Sequence, residues 1–541
     1  MRPFPPAWRR AVAVFCALAA VALAAAGCAR PPAAPGAPAE KPASAGGFLR
    51  MPIVADPTFN PHHPKAYVES VFCNRALYNC LTRPGLDLVP SADLAESWET
   101  SPDGLTWTFK LRQGVKWHDG QPFSADDVKF TFDLILNPDS GSGTAKNFTV
   151  VKSVEAVDPY TVRFTLSQPF ASLPAFLGYN CGILPKHLWE GKDLLTNDEF
   201  NKKHPVGTGP FKFQEFVSGD HVTLVANPDY FRGKPKLDGI IFKILPDANA
   251  QTAQLLSGDL DLILVEQPQN ARVLKDNPSV VVDSVDQVNF VYFAANLTRP
   301  LFGDKRVRQA MSHAIDKQAV IDNILAGYGK ISTGPISPAM KAYYNPNVRQ
   351  YPYEPARAKA LLAEAGWTPG ADGILAQGGK KFSFVLTAPR VQAFEQICTL
   401  GQQYWKAVGM DVTLEAMEFN QCTSQRVIPR NYDVLSAWWI TPSDPDVFPY
   451  FHSSGATKGM NLPLYQNPEA DRLLEQGRAT ADPAARRQVY DRFQALVAEE
   501  LPYVFLYHPL EIRAWSAKLQ GIPGLGLRDA MQYSDEWYFK P

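Results

Sequence analysis

Two hydrophobic periods alternate along nearly the whole of this chain, and that alternation limits its fold more than any other feature. In "TWTFKL", Trp107, Phe109 and Leu111 alternate with Thr106, Thr108 and Lys110, the period of a strand with one buried face. "TVRFTLS" repeats the pattern with Val162, Phe164 and Leu166. Between them, Ser124 is placed as an N-cap for a helix carrying Val128, Phe132 and Ile135 on one face, closed by Asn137-Pro138. Asp304 and Asp316 stand as caps for two further helices, the first carrying Val307, Ala310, Met311 and Ala314. Pro355 occupies a first helical position and Gly366 the matching stop. Residues 391–408 set Ile397, Tyr404, Trp405 and Val408 at helical spacing, end at Gly409 and pass into the alternating "DVTLEA". Asn467-Pro468 and Asp482-Pro483 open two late helices. Strands and helices interleave with no short repeat, which predicts an α/β body.

The length of 541 residues is enough for two or three cores. A formal net charge of −1 argues against nucleic acid as the main partner, since neutralising phosphates needs a basic surface. Arg2, Arg9 and Arg10 precede "AVAVFCALAAVALAAAGC", an early apolar run rich in small residues that reads as a targeting segment, residues 1–27. Residues 28–47 follow as a Pro/Ala/Gly tether with nothing to bury. No later run is long and apolar enough to span a bilayer. Seven cysteines occur; without Cys16 and Cys28 there remain Cys73, Cys80, Cys181, Cys398 and Cys422. Export permits disulfides, and the expected pairs are Cys398–Cys422 and Cys181 with either Cys73 or Cys80. Five is odd, so at least one thiol stays free or pairs elsewhere.

Several blocks in order carry a resemblance. They are "PSADLAESWETSPDGLTWTFKLRQGVKWHDGQPFSADDVKFTF" (90–132), "PVGTGPFKFQEF" (205–216), "NPDYFRGKPKLDGIIFKI" (227–244), "GDKRVRQAMSHAID" (303–316) and "YEPARAKALLAEAGW" (353–367). "SDPDVFPYFHSS", "YQNPEADRLL" and "LPYVFLYHP" complete the set. Together, over about residues 50–525, the chain resembles the extracytoplasmic solute-binding proteins of ABC importers, in the peptide/nickel/opine group. The resemblance implies a two-lobed periplasmic-binding-protein-like α/β fold of class II with an extra subdomain and a ligand cleft between the lobes. On that reading residues 48–75, 201–290 and 508–541 form the core of lobe I, 76–200 its extra subdomain, and 291–507 lobe II. "QVNFVYFAANLT" (287–298) and "PYVFLYHP" (502–509) are the two crossings, both apolar and strand-like. The N-terminal run also resembles a lipoprotein signal, with Cys28 as the acylated residue, although Ala25 stands where a leucine is usual; an ordinary signal segment is the alternative.

The resemblance also points to site residues. The stretch "WWITPSDPDVF" (438–448) would line the cleft. Peptide-binding members carry an aspartate for the peptide amine where this chain has Thr441, whose hydroxyl supplies a dipole and no charge. A shifted alignment makes Asp444 the partner; otherwise Asp444-Pro445 is a turn. Trp438 and Trp439 offer broad apolar faces, and on a strand they point to opposite sides, leaving open which one meets the ligand. In "NPHHPKAYVES" (60–70), Ala66 and Tyr67 would offer backbone groups to an extended ligand. Lys65 faces either the cleft, favouring an anionic ligand group, or solvent. Arg390 stands near the place where dipeptide binders hold the ligand carboxylate, or is a surface arginine. His62-His63 has no acidic or cysteine partner at ligand spacing, so no metal and no cofactor is expected.

The expected function is that of an exported, lipid-anchored, monomeric receptor, on the periplasmic or extracellular face. It would capture short peptides by hinge closure and hand them to the transmembrane subunits of an ABC permease, without chemistry. An oligosaccharide, an opine or a nickel complex is the alternative ligand. An exported peptide or glycan hydrolase is the rival from another class, with no catalytic motif to support it.

Overall fold

The computed structural model describes residues 46–540 apart from Tyr67, Asn180 and Gln392. The expected signal segment 1–27 and the tether 28–47, with Cys28, lie outside the described residues except for Gly46 and Gly47. Among the described residues no helix is long and apolar enough to cross a membrane.

Near the beginning of the described chain, strand Phe48–Ile53 runs parallel to Gly239–Ile244, and His221–Ala226 and Phe211–Val217 complete a four-stranded sheet. Its core combines Leu49 and Met51, Phe72 and Leu77 of helix Val68–Leu77, and Leu519, Leu527 and Trp537 from the end of the chain. A second, antiparallel four-stranded sheet is built from Ala95–Thr100, Thr106–Leu111, Thr161–Leu166 and Val151–Asp158. The alternation in "TWTFKL" holds: Trp107, Phe109 and Leu111 are buried under helix Ala125–Leu136. That helix starts where Ser124 predicts, with the Ser124 N–H donating to Asp127 Oδ2 at 2.9 Å.

The largest sheet has eight strands: β1 (Leu262–Leu264), β2 (Val280–Asp286), β3 (Phe290–Ala295), β4 (Gly329–Ile331), β5 (Ser383–Pro389), β6 (Asp411–Met417), β7 (Val434–Trp439) and β8 (Tyr503–Ser516). Its main path is β1-β8-β3-β7-β5-β6, with β2 and β4 also pairing with β8. The period of two sorts side chains into separate cores. Val291, Phe293 and Ala295 of β3 enter one core, and Phe290, Tyr292 and Ala294 enter the other. Helices α1 (Lys305–His313), α2 (Lys317–Ile324) and α3 (Phe394–Ala407) cover the first face; α4 (Pro468–Ala479) and α5 (Pro483–Glu500) cover the second. The expected caps are in place. Asp304 accepts from Arg306 N at 2.8 Å, Asp316 from Ala319 N at 2.9 Å, Asn467 from Glu469 N at 2.9 Å and Asp482 from Ala485 N at 2.8 Å. Gly409, with φ +95°, supplies the left-handed turn from α3 into β6.

The expected disulfides are not formed. Cys73, Cys181, Cys398 and Cys422 carry free, buried thiols. Cys398 packs in the core on one face of the large sheet and Cys422 in the core on the other, so the sheet itself stands between them. Cys181 lies in the core of the second sheet and Cys73 in that of the first; with the Cys181 thiol free, neither of its expected pairings exists. Burial pushes the Cys398 thiol up to about 12, which keeps it inert at neutral pH. Alkylation of the unreduced protein is expected to label these four cysteines only after unfolding, read by mass spectrometry of the fragments. A linked Cys398–Cys422 fragment would contradict it.

Candidate functional site

Strand β8 is the element on which the site is built. Its last part, Leu510–Ser516, pairs with β2, while its first part, Tyr503–Tyr507, pairs with β3. β2 and β3 are joined by a short link, residues 287–289. The segments expected as crossings, 287–298 and 502–509, hold this link with β3 and the first half of β8, which continues to Ser516 as one strand.

A cleft of about 760 Å³ opens over β8 and this link. One wall is Leu264–Gln269, beyond β1, with Leu510, Glu511 and Ile512 of β8. The other is formed by Ile324, Leu325 and Tyr328 after α2, Phe394 at the start of α3, and Trp438, Ile440 and Tyr507. Among its described lining residues there is no lysine or arginine, and the two charged groups, Glu266 and Glu511, are both acidic. Glu511 is held from the protein side by the Gln287 side-chain amide at 3.1 Å and by the Leu527 N–H. Asn289 in turn donates to Gln287 Oε1 at 2.8 Å, so a chain of amides runs along the link between β2 and β3. Burial pushes the Glu511 carboxyl up; the Leu527 N–H and the Arg513 charge oppose this without cancelling it. Sequence reasoning missed Glu511 and Gln287. The available signal was a carboxylate and an amide set in otherwise apolar crossing segments.

The tandem tryptophans divide as strand geometry requires. Trp438 lines the cleft, with Phe394 at 5.1 Å and Phe419 at 6.0 Å between ring centroids. Trp439 lies on the opposite face, 4.7 Å from Tyr450, in the second core. Thr441 is fully buried, and its hydroxyl donates to the Val288 carbonyl at 2.9 Å, which pins the chain after β7 to the β2–β3 link. The placement of Thr441 among ligand contacts is therefore corrected: its one donor is used within the fold.

Asp444 is also taken up internally. Both its oxygens accept from the Arg486 guanidinium at 2.8 Å, and Oδ1 accepts from Ser172 Oγ at 2.9 Å. Ser172 belongs to the body of the second sheet, so this buried cluster joins that body to α5. Next to it Arg478 pairs with Asp446 at 2.8 Å, and its carbonyl accepts from Ala171 N at 2.7 Å. Asp444 is thus a structural ion at a contact between bodies. Burial pushes its carboxyl up, but the Arg486 charge and hydrogen bonds outweigh this and hold it below the ordinary carboxylate value.

The remaining expected residues stand apart from the cleft. Arg390 is exposed and pairs with Glu395 at 3.0 Å. Residues 61–65 form turns and not an extended edge: Ala66 N donates to the His63 carbonyl at 2.8 Å, and Lys65 is exposed to solvent. Tyr67 lies outside the described residues. His62 is fully buried between Thr144 Oγ1 and the Gly182 carbonyl, and burial lowers its pKa to about 4. Among the described residues no group of three or more His, Cys, Asp or Glu could hold a metal ion.

Comparison with known proteins gives concordant findings. Residues 89–460 match the family described as bacterial extracellular solute-binding proteins, family 5 Middle. The chain is 34% identical over 501 residues to the oligopeptide-binding protein AppA of Bacillus subtilis, covering 92% of each. The structure of that protein in complex with a nonapeptide superposes with a TM-score of 0.74 at 33% identity, over 92% of this chain and 99% of the other. NikZ of Campylobacter jejuni in complex with Ni(L-His) superposes with a TM-score of 0.74 at 28% identity, over 91% of this chain and 99% of that one.

Replacing Arg486 by methionine is expected to destabilise the protein by about 3–5 kcal/mol, because Asp444 is left buried and unpaired. Replacing Asp444 by asparagine in the same chain should recover part of that loss. Since the Asp444 pKa is depressed, its contribution is present above the ordinary carboxylate range and is lost as pH falls through the native value below 3.8. Urea unfolding over an acid series reads both effects.

Proposed function

Because this chain belongs to the bacterial extracellular solute-binding proteins of family 5, which serve ABC importers, we propose that it captures short peptides outside the membrane and delivers them to a permease. The observation that carries this reading is the cleft itself. Its volume of about 760 Å³ suits a ligand of several residues, and residues of both expected crossings, Gln287, Asn289, Tyr507 and Pro509, line it. Trp438, Phe394 and Tyr507 supply apolar faces for side chains, while the Gln287 and Asn289 amides suit a peptide backbone. With Thr441 committed to the Val288 carbonyl, the charge that a ligand amine needs comes from Glu266 or Glu511.

The proposed mechanism is closure without chemistry. Residues 48–75, 201–290 and 508–541 form one body, with 76–200 attached, and 291–507 form the other. A ligand that touches both walls only when they approach shifts the equilibrium towards the closed form, which the permease then recognises. Cys28 carries the lipid that holds a monomeric receptor at the membrane surface. The nonapeptide bound by the Bacillus subtilis relative supports peptides over the alternatives.

Calorimetry with di- to nonapeptides and their N-acetylated forms tests the ligand class. Free peptides are expected to bind about tenfold or more tightly than acetylated ones, since acetylation removes a charge-assisted hydrogen bond. Trp438→Ala should weaken peptide binding by about 2 kcal/mol. Binding of a nickel–amino-acid complex or an oligosaccharide with no peptide response, or turnover of a bound peptide, would overturn the assignment.

A further inference from the structure

A second cavity, separate from the cleft, holds a buried cation. Lys317 opens α2 and is 6% exposed. Its Nζ donates to Ser312 Oγ at 2.9 Å and to the Tyr351 carbonyl at 3.3 Å. Among the described residues no carboxylate pairs with it. Asp316, its neighbour in sequence, accepts from Ala319 N instead. The titratable groups packed nearby do not replace a counter-ion. His313 of α1 bonds the Pro352 carbonyl and has its pKa lowered by burial; burial raises Tyr351 to about 12 against the opposing charge of Arg349 over its ring. An ammonium taken out of water without an opposite charge is disfavoured, and burial brings Lys317 down to about 7.

This cation does not sit in filled core. It lines a cavity of about 210 Å³, several times the roughly 30 Å³ that one water occupies in the liquid. Tyr351, Pro352, Leu501 and Phe505 make most of the wall apolar, and exposed Ile331 and Gln350 also line it, leaving a way in. Polar partners are few. The Ser312 hydroxyl accepts from Lys317, which leaves its own proton to donate, whereas the Ser332 hydroxyl is already spent on the Gly334 carbonyl. One ammonium with the Ser312 hydroxyl beside it, and Thr333 as a further hydroxyl of the lining, match a monoanion better than a phosphate dianion, which needs more donors. The apolar wall requires a hydrocarbon body.

We propose that this cavity binds a small aliphatic monocarboxylate, its carboxylate against Lys317 Nζ and Ser312 Oγ and its hydrocarbon part against Leu501 and Phe505. The site is independent of the peptide cleft. Binding returns to Lys317 the opposite charge that the fold withholds, so it raises the affinity of the amine for its proton.

The test is calorimetric titration of the full chain with butyrate at about pH 8, above the native lysine value, in buffers of different ionisation enthalpy. Saturable binding with net proton uptake is expected, and inorganic phosphate should not compete. Lys317→Met keeps the length and removes the charge; it should melt no lower than the parent and bind butyrate about tenfold or more weakly. Ser312→Ala, which deletes one hydroxyl, should weaken binding about threefold or more. Absence of saturable heat, binding without proton uptake, equal competition by phosphate, or unchanged affinity in either variant would each overturn the proposal.

Discussion

The backbone pairing of β8 is the constraint on which the rest of the molecule depends. One strand of 14 residues is hydrogen-bonded to β3 at its beginning, to β4 at its middle, and to β1 and β2 at its end. Strand pairing satisfies backbone groups without side chains, so the strand can run past a change of partners at little polar cost. The cleft follows from that change. Where the partners of β8 change, around residues 507–510, the sheet leaves room above it, and Tyr507, Leu510 and Glu511 form part of the cleft lining. The register also shifts between Val291 and Tyr292 on the neighbouring strand, a bulge of the kind that turns a sheet edge.

A second contact between bodies lies where Phe170–Leu173 meets α4 and α5. Two buried ion pairs are costly unless all their valences are met. Here they are: Asp444 takes two bonds from Arg486 and one from Ser172, and Arg486 also reaches the Gly477 carbonyl at 2.8 Å. The guanidinium of Arg478 lies 3.8 Å from the Phe448 ring centroid and 5.4 Å from that of Phe170, so aromatic faces complete its surroundings. The ions belong to one body and the closing hydroxyl to the other, so this contact seals charges that are already paired.

How much of this was legible in the sequence depended on the range of the interaction involved. Caps at Asp304, Asp316, Asn467 and Asp482 are decided within a few residues and could be read directly. The alternation around Trp107 and Val162 is equally local. The fate of Trp438 against Trp439 was not, because alternation separates the two rings but does not say which face holds the cleft; that depends on Phe394 and Tyr450, far along the chain. Thr441 and Asp444 were read as ligand groups because their true partners, Val288, Arg486 and Ser172, are remote in sequence. The segment 60–70 reads locally as an edge that offers the Ala66 and Tyr67 backbone to a ligand, yet residues 61–65 form turns. Its turns are held by contacts from His62 to Thr144 and Gly182 that no local pattern announces. Cysteine pairing failed for the same reason: spacing does not reveal which side of a sheet a thiol occupies.

The split between Trp438 and Trp439 has a bearing on how this chain can change over generations. Each ring is committed to a different environment by parity alone. Losing or gaining one residue inside Val434–Trp439 would exchange the two, sending the cleft-facing indole into the aromatic packing around Tyr450. The run that follows is bound as tightly, since Thr441 is tied to the Val288 carbonyl, Asp444 to Arg486 and Asp446 to Arg478.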